Sequence, residues 1–269
     1  MKKNRIIPVL LLRNGFLVQS KQFKRWPNLG NPHSAVKRLS EWGCDELVYL
    51  DISRDDNHDM RRDDLGHPNR DSIFDIIEDV SKVSFMPITV GGRIRSLEDI
   101  EKRLSLGADK VSINTMALDH PEFIEQAARE FGSQCVVVSI DVRLEEDGVH
   151  RVRRDGNREA TPYTAAEWAH KVQELGAGEI LLNSIDRDGM KNGYDIPLIN
   201  QVTSHVKIPV IACGGVGEWE HMAQGLRETS ADAVAAANIF HYSDQSVYLA
   251  KKHLHEQGLN VRSPELLDI

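Results

Sequence analysis

At 269 residues, the chain is long for an average domain and matches the usual size of an eight-fold β/α barrel. Hydrophobic residues make up 41% and charged residues 28%, the latter spread rather than blocked, which excludes wholesale disorder. Lys and Arg number 33 against 41 for Asp and Glu, a formal charge of −8, and that sign argues against non-specific nucleic-acid binding.

The apolar run Ile6–Leu12 behind Lys2, Lys3 and Arg5 has the outline of a signal peptide. It is short, holds Pro8 and ends at Arg13 without a small-residue cleavage site, so it is read as a first strand, Arg5–Leu12. Asn31-Pro32 offers an N-cap with proline at the first helical position, for a helix running to Gly43. Leu47–Asp51 reads as a second strand. Ile73, Ile76, Ile77 and Val80 share one helical face before a third strand at Met86–Val90. Ser96 and Asp99 cap the next helix, which stops at Gly107, and Lys110–Ile113 is the fourth strand.

The second half repeats the scheme. Val136–Asp141 is a strand, and Glu146-Asp147-Gly148 turns a hairpin after it. Thr164 and Glu167 form a capping box for a helix closing at Gly176. Strands follow at Glu179–Asn183, Pro209–Cys213 and Ala233–Ala236, and Ser243 is expected to open a last helix. Eight strands alternating with helices predict a parallel sheet with right-handed crossovers. An internal repeat favours a closed (β/α)8 TIM barrel over an open, doubly wound sheet. Gly43-Cys44-Asp45-Glu46 matches Gly176-Ala177-Gly178-Glu179. Gly91-Gly92 followed by Ala108-Asp109 matches Gly214-Gly215 followed by Ala231-Asp232, with seventeen residues from first Gly to Ala each time. The whole chain, 1–269, is expected to be a single domain. Cys44, Cys135 and Cys213 lie in apolar stretches without a CxxC spacing, and are expected to be buried reduced thiols of a cytoplasmic protein.

In such barrels the C-terminal strand ends build the active site. Gly91-Gly92 and Gly214-Gly215 each follow a strand and let backbone N–H groups approach an anion, although a tight turn would explain either pair alone. Asn114-Thr115 and Ala237-Asn238 end the following strands and are placed to complete each cradle. Symmetric cradles predict a ligand with a phosphate at each end.

Several segments resemble one family. They are Arg5-Ile6-Ile7, Asp45–Asp51, Thr89–Gly92, Gly107–Thr115, Gly132–Asp141, Ser184–Gly189 and Asn260-Val261-Arg262. Together they are similar to the cyclase subunit of imidazole glycerol phosphate synthase, from Arg5 to Arg262. In that family the barrel takes ammonia from a separate class I glutaminase, through its interior, to a bis-phosphate ribonucleotide at the top face. The resemblance implies phosphate contacts at Gly92, Asn114 and Thr115 on one side, and at Asp188, Gly189, Gly215, Ala237 and Asn238 on the other. Arg93 stands where the family has a third glycine, and Asn238 where it has a serine. Arg5, Glu46, Lys110 and Glu179 match the family's charged ammonia gate, and Asp109 matches a contact to the glutaminase. The same four residues also suit a purely structural ion-pair layer on the barrel floor.

The departure concerns catalysis. The family uses an aspartate ending strand one and another on strand five as general acid and base. Asp141 keeps the second position, with service as a helix N-cap as its alternative use. Leu11 occupies the first, and Gln19 replaces the lysine of the first loop. Residues 53–70 lengthen the loop after strand two. There His58, Asp59 and His67 fit no standard metal spacing, so a solvated loop is expected, with no metal or cofactor. Trp26 is a candidate contact to a partner or substrate, or simple packing. The favoured expectation is an ammonia-conducting barrel whose cyclase chemistry is lost. The Leu-Leu-Leu first strand resembles paralogues that feed ammonia to a sugar amidotransferase forming acetamidino groups on bacterial surface sugars. An authentic cyclase, with Asp51 or Asp186 as substitute acid, and a non-catalytic phosphate-ligand scaffold are the alternatives. The related phosphoribosyl isomerase barrel needs both aspartates and no gate.

Overall fold

Eight parallel strands hydrogen-bond in one closed ring: β1 (Arg5–Arg13), β2 (Leu47–Asp51), β3 (Ile88–Gly91), β4 (Lys110–Ile113), β5 (Val136–Leu144), β6 (Glu179–Ser184), β7 (Val210–Cys213) and β8 (Ala233–Ala236). The ring closes through β1, which pairs Arg5 with Ala233 on one side and Val9 with Val48 on the other. The computed structural model describes residues 2–30, 32–54, 63–64, 67–68, 70, 72–241 and 246–264. The (β/α)8 barrel expected from the repeat is the fold found, and the open doubly wound sheet is excluded.

Side-chain alternation sorts each strand between two cores. Ile7, Val9, Val48, Val137, Leu181, Ile211, Ala233 and Ala235 point inward and fill the lumen. Their neighbours Ile6, Leu10, Leu12, Leu47, Val136, Val138 and Ile180 point outward, into a larger core beneath the helices. The helices in chain order are α1 (Pro32–Glu41), α2 (Ile73–Ser81), α3 (Leu97–Ser105), α4 (Thr115–Asp119), α5 (Glu122–Phe131), α6 (Ala165–Glu174), α7 (Ile196–Thr203), α8 (Trp219–Glu228) and α9 (Val247–Glu256). Both sequence-predicted capping boxes form, Ser96 with Asp99 and Thr164 with Glu167. Each satisfies two N–H groups that a helix start leaves open.

Several boundaries differ from the sequence reading; β1 and β6 each run one residue further and β7 starts one residue later. β3 starts at Ile88, because the Ile88 N–H is taken by the Asp109 side chain at 2.8 Å. β5 continues past Asp141 to Leu144 and enters the expected hairpin, closed by Glu145 N–H to Val149 O at 3.0 Å. The last helix starts at Val247 with Ser246 as its N-cap; Ser243, like Asn31, His58 and Asp59, lies outside the described residues, and of His67 the side chain does. Cys44 is buried, whereas Cys135 and Cys213 are only partly so. Among the described residues no helix is long and apolar enough to cross a membrane.

Candidate active site

The two ends of the lumen differ in chemistry. At the floor, Arg5 donates to Glu46 at 2.7 Å and to Glu179 at 2.5 Å, while Lys110 donates to Glu46 at 3.2 Å and to Glu179 at 3.0 Å. β4 and β6 are not neighbours, and neither are β1 and β6. These bonds therefore cross the lumen and close its floor with a neutral ring of alternating charge. The four side chains are 7% to 20% exposed. Burial alone would lower the Arg5 pKa, but the two carboxylates outweigh it and raise it. Asp109, adjacent in sequence to Lys110, faces the other way and holds the start of β3.

At the mouth, the inward positions are polar on one side and apolar on the other. Asp141 on β5 accepts from the Asn114 amide at 2.7 Å and from the Asn183 amide at 3.3 Å. Burial pushes its carboxyl pKa up to about 6, with the two amide bonds pulling the other way. Because β5 runs on beyond it, Asp141 is not a helix cap. Opposite, Leu11, Leu50, Cys213 and Ala237 pack onto the lumen core. Leu11 thus takes the inward position on β1 and brings no proton to it. The two candidate substitute acids are engaged elsewhere. Asp51 is the Cα partner of Leu12, on the outward parity, and binds the Ser53 N–H at 2.9 Å. Asp186 accepts from the Leu144 N–H at 2.8 Å. Between floor and mouth, Ser112 of β4 shares the inward parity of Lys110 and Asn114, and its hydroxyl is buried without a hydrogen-bond partner.

Both glycine cradles adopt left-handed backbone, Gly92 at φ +96° and Gly215 at φ +106°. A side chain at Gly92 would meet Asp51 O at 2.0 Å, and one at Gly215 would meet Gly193 O at 2.1 Å. Arg93, in place of a third glycine, is itself left-handed at φ +57°, a conformation that side chains rarely take. Asn114 immediately precedes Thr115, the first residue of α4.

The second cradle is covered by the first loop. Asn238 donates to Ser20 O at 2.7 Å and accepts from Ser20 N–H at 3.3 Å. Asp188 accepts from the Ser20 hydroxyl at 2.5 Å and from Phe23 N–H at 3.3 Å, and Gln22 N–H binds Asp188 O at 3.0 Å. Gly189 allows this close approach, since a Cβ there would lie 2.4 Å from Ser20 O. Asn238 and Asp188, expected as phosphate contacts, hold the loop in this conformation. Ala237 lines the mouth beside them. Trp26 packs on Phe23 with ring centroids 6.2 Å apart, which is the bland alternative.

The sequence reading missed Asn183, Ser112 and Ser20. Alternation from Leu181 and Lys110 marks the first two as inward; nothing local marks Ser20.

The chain is similar to known proteins along nearly its whole length. The family described as "Histidine biosynthesis protein" matches residues 5–246. The Geobacillus kaustophilus (strain HTA426) protein named imidazole glycerol phosphate synthase subunit HisF is 45% identical over 263 residues, 97% of this chain and 100% of that protein. The chain belongs to the histidine biosynthesis protein family.

Proposed function

We propose that this chain is the ammonia-receiving barrel of a glutamine-dependent synthase. A class I glutaminase docks on the floor around Arg5, Glu46, Asp109, Lys110 and Glu179, and ammonia crosses the lumen to Asp141. The observation that carries the reading is the closed ring of four charges at one end of a lumen lined largely by apolar side chains. A neutral ring opens when one member swings away, and it excludes ions while admitting a small neutral molecule. The unpartnered Ser112 hydroxyl gives such a molecule a hydrogen-bonding stop inside the lumen. An anionic ligand, taken to be phosphorylated, sits at the mouth with Gly92, Asn114 and Thr115 on one side and Gly189, Gly215, Ala237 and Asn238 beside Asp188 on the other. The first loop must lift for the second end to bind.

Two acceptors fit this barrel. The name of the Geobacillus relative and the family match favour the ring-closing step of histidine biosynthesis, and of the two readings the comparisons support this one more directly. One structural observation favours the other: Leu11 fills the inward position where the family keeps an acid, against Leu50 and the lumen core. With Asp141 as the single mouth carboxylate on the inward strand positions, ring closure lacks its second proton-transfer group. The barrel then serves to pass ammonia to a separate sugar amidotransferase forming an acetamidino group on a nucleotide-linked surface sugar. The bis-phosphate ribonucleotide with ammonium salts separates the two: turnover like that of an authentic cyclase supports the cyclase, and background turnover supports the sugar reading.

A further inference from the structure

Arg103 lies in α3 and is 2% exposed, yet neither the ammonia path nor the mouth carboxylate involves it. Its guanidinium donates to Gly92 O at 3.0 Å and to Asp99 O at 2.8 Å, and its Nε is buried without a partner. The Asp99 carboxylate is 3.9 Å away. Burying a cation on two carbonyls and one distant carboxylate is costly, so the reason for it must lie in what it holds.

It holds the Gly92–Arg93 peptide. In a planar trans peptide the C=O and the following N–H point in opposite directions. With Gly92 O drawn back towards α3, the Arg93 N–H points away from that helix. Gly92 sits at φ +96°, and glycine lets its flanking peptides flip at little cost. Covalent geometry therefore does not keep this peptide in place; Arg103 does.

The internal repeat gives an independent comparison. Gly92 corresponds to Gly215, and by the same offset Arg103 corresponds to Leu226, a partly buried core residue. Gly215 O is also tied down, by the Gly193 N–H at 2.9 Å, from the segment after β6. Both halves anchor the same carbonyl with different donors.

We infer that Arg103 is the positioning residue of the first cradle: it fixes the Gly92–Arg93 peptide with its N–H towards a bound phosphate, as a backbone N–H fixes the equivalent carbonyl in the other half. This rests on the phosphate reading of the mouth. Its positive charge behind the cradle also strengthens attraction for the anion.

The test titrates inorganic phosphate into the 15N-labelled full chain and follows the amides of Arg93, Asn114 and Thr115 against those of Gly215 and Asn238. In Arg103→Leu, the residue of the equivalent position, phosphate affinity at the first set should fall about tenfold, the scale of one charge-assisted hydrogen bond, with the second set unchanged. Arg103→Lys, which keeps the charge and one of the two bonds, should recover part of the loss, and it carries the test if the leucine variant fails to fold. Wild-type shifts that persist undiminished in both variants, or equal weakening at both cradles, overturn the inference alone. No phosphate-dependent shift in the wild type removes the phosphate reading itself, and the inference with it.

Discussion

Asp141→Asn should make the protein more stable, and increasingly so as pH rises. Asp141 is 8% exposed, and its pKa is pushed up from 3.8 to about 6 by burial. The folded state therefore holds its proton more tightly than the unfolded chain, and stability falls as pH rises from about 4 to about 6, then stays lowered. A shift of roughly two units corresponds to about 3 kcal/mol of penalty at pH 8. Asparagine keeps the shape and can still accept from Asn114, while the Asn183 amide can turn its oxygen to the new donor, so the penalty is removed with little loss of bonding. Urea unfolding of both proteins at pH 4.5, 6 and 8 measures this. The stability difference should grow from about 1 kcal/mol at the lowest pH to about 3 kcal/mol at the highest. A flat difference, or a variant less stable at pH 8, would refute a carboxyl strained by burial.

Lys110→Ala leaves Glu46 and Glu179 sharing Arg5 alone and should cost about 3 kcal/mol by urea unfolding, the lower end for breaking a buried pair because the ring is partly wet; a loss under about 0.5 kcal/mol would mark the ring as energetically idle. Turnover of the bis-phosphate ribonucleotide with ammonium salts should fall below that of an authentic cyclase by a factor of about 10²–10⁴, the worth of one general acid or base, and parity would return the chain to ring closure. Asn238→Ala removes both bonds to Ser20. Trypsin cleavage within Lys21–Arg25 should then speed up about tenfold, as expected for the loss of about 1.4 kcal/mol of closing energy; an unchanged rate would show that Asp188 alone holds the loop.

What the sequence made legible was periodic or repeated. Alternation and glycine-terminated helices placed all eight barrel strands, and the repeat chose the barrel over the open sheet. Lys110 and Glu179 were readable as floor residues because each begins a strand, and the structure joins them across the lumen. Less legible was anything that depends on contacts distant in sequence. Ser20 meets Asn238 across 218 positions, and no local pattern announces that an asparagine substituted at a cradle will latch a loop. Arg103 reads as an ordinary basic residue in the last turn of α3, since its burial depends on Gly92 and Phe74 behind it. Asp141 was found in sequence, but the end of its strand was not, because an apolar run continuing into a hairpin carries no stop signal there.

The conduit itself is tested most directly by isotope partition. The barrel, its glutaminase and the acceptor system are supplied with amide-15N glutamine in the presence of excess unlabelled ammonium, and the nitrogen entering the product is measured. Passage through the lumen predicts product enriched in 15N far above the bulk ammonium pool, with the enrichment lost in Lys110→Ala while reaction from ammonium continues. Product carrying the isotopic composition of the bulk pool would contradict the account.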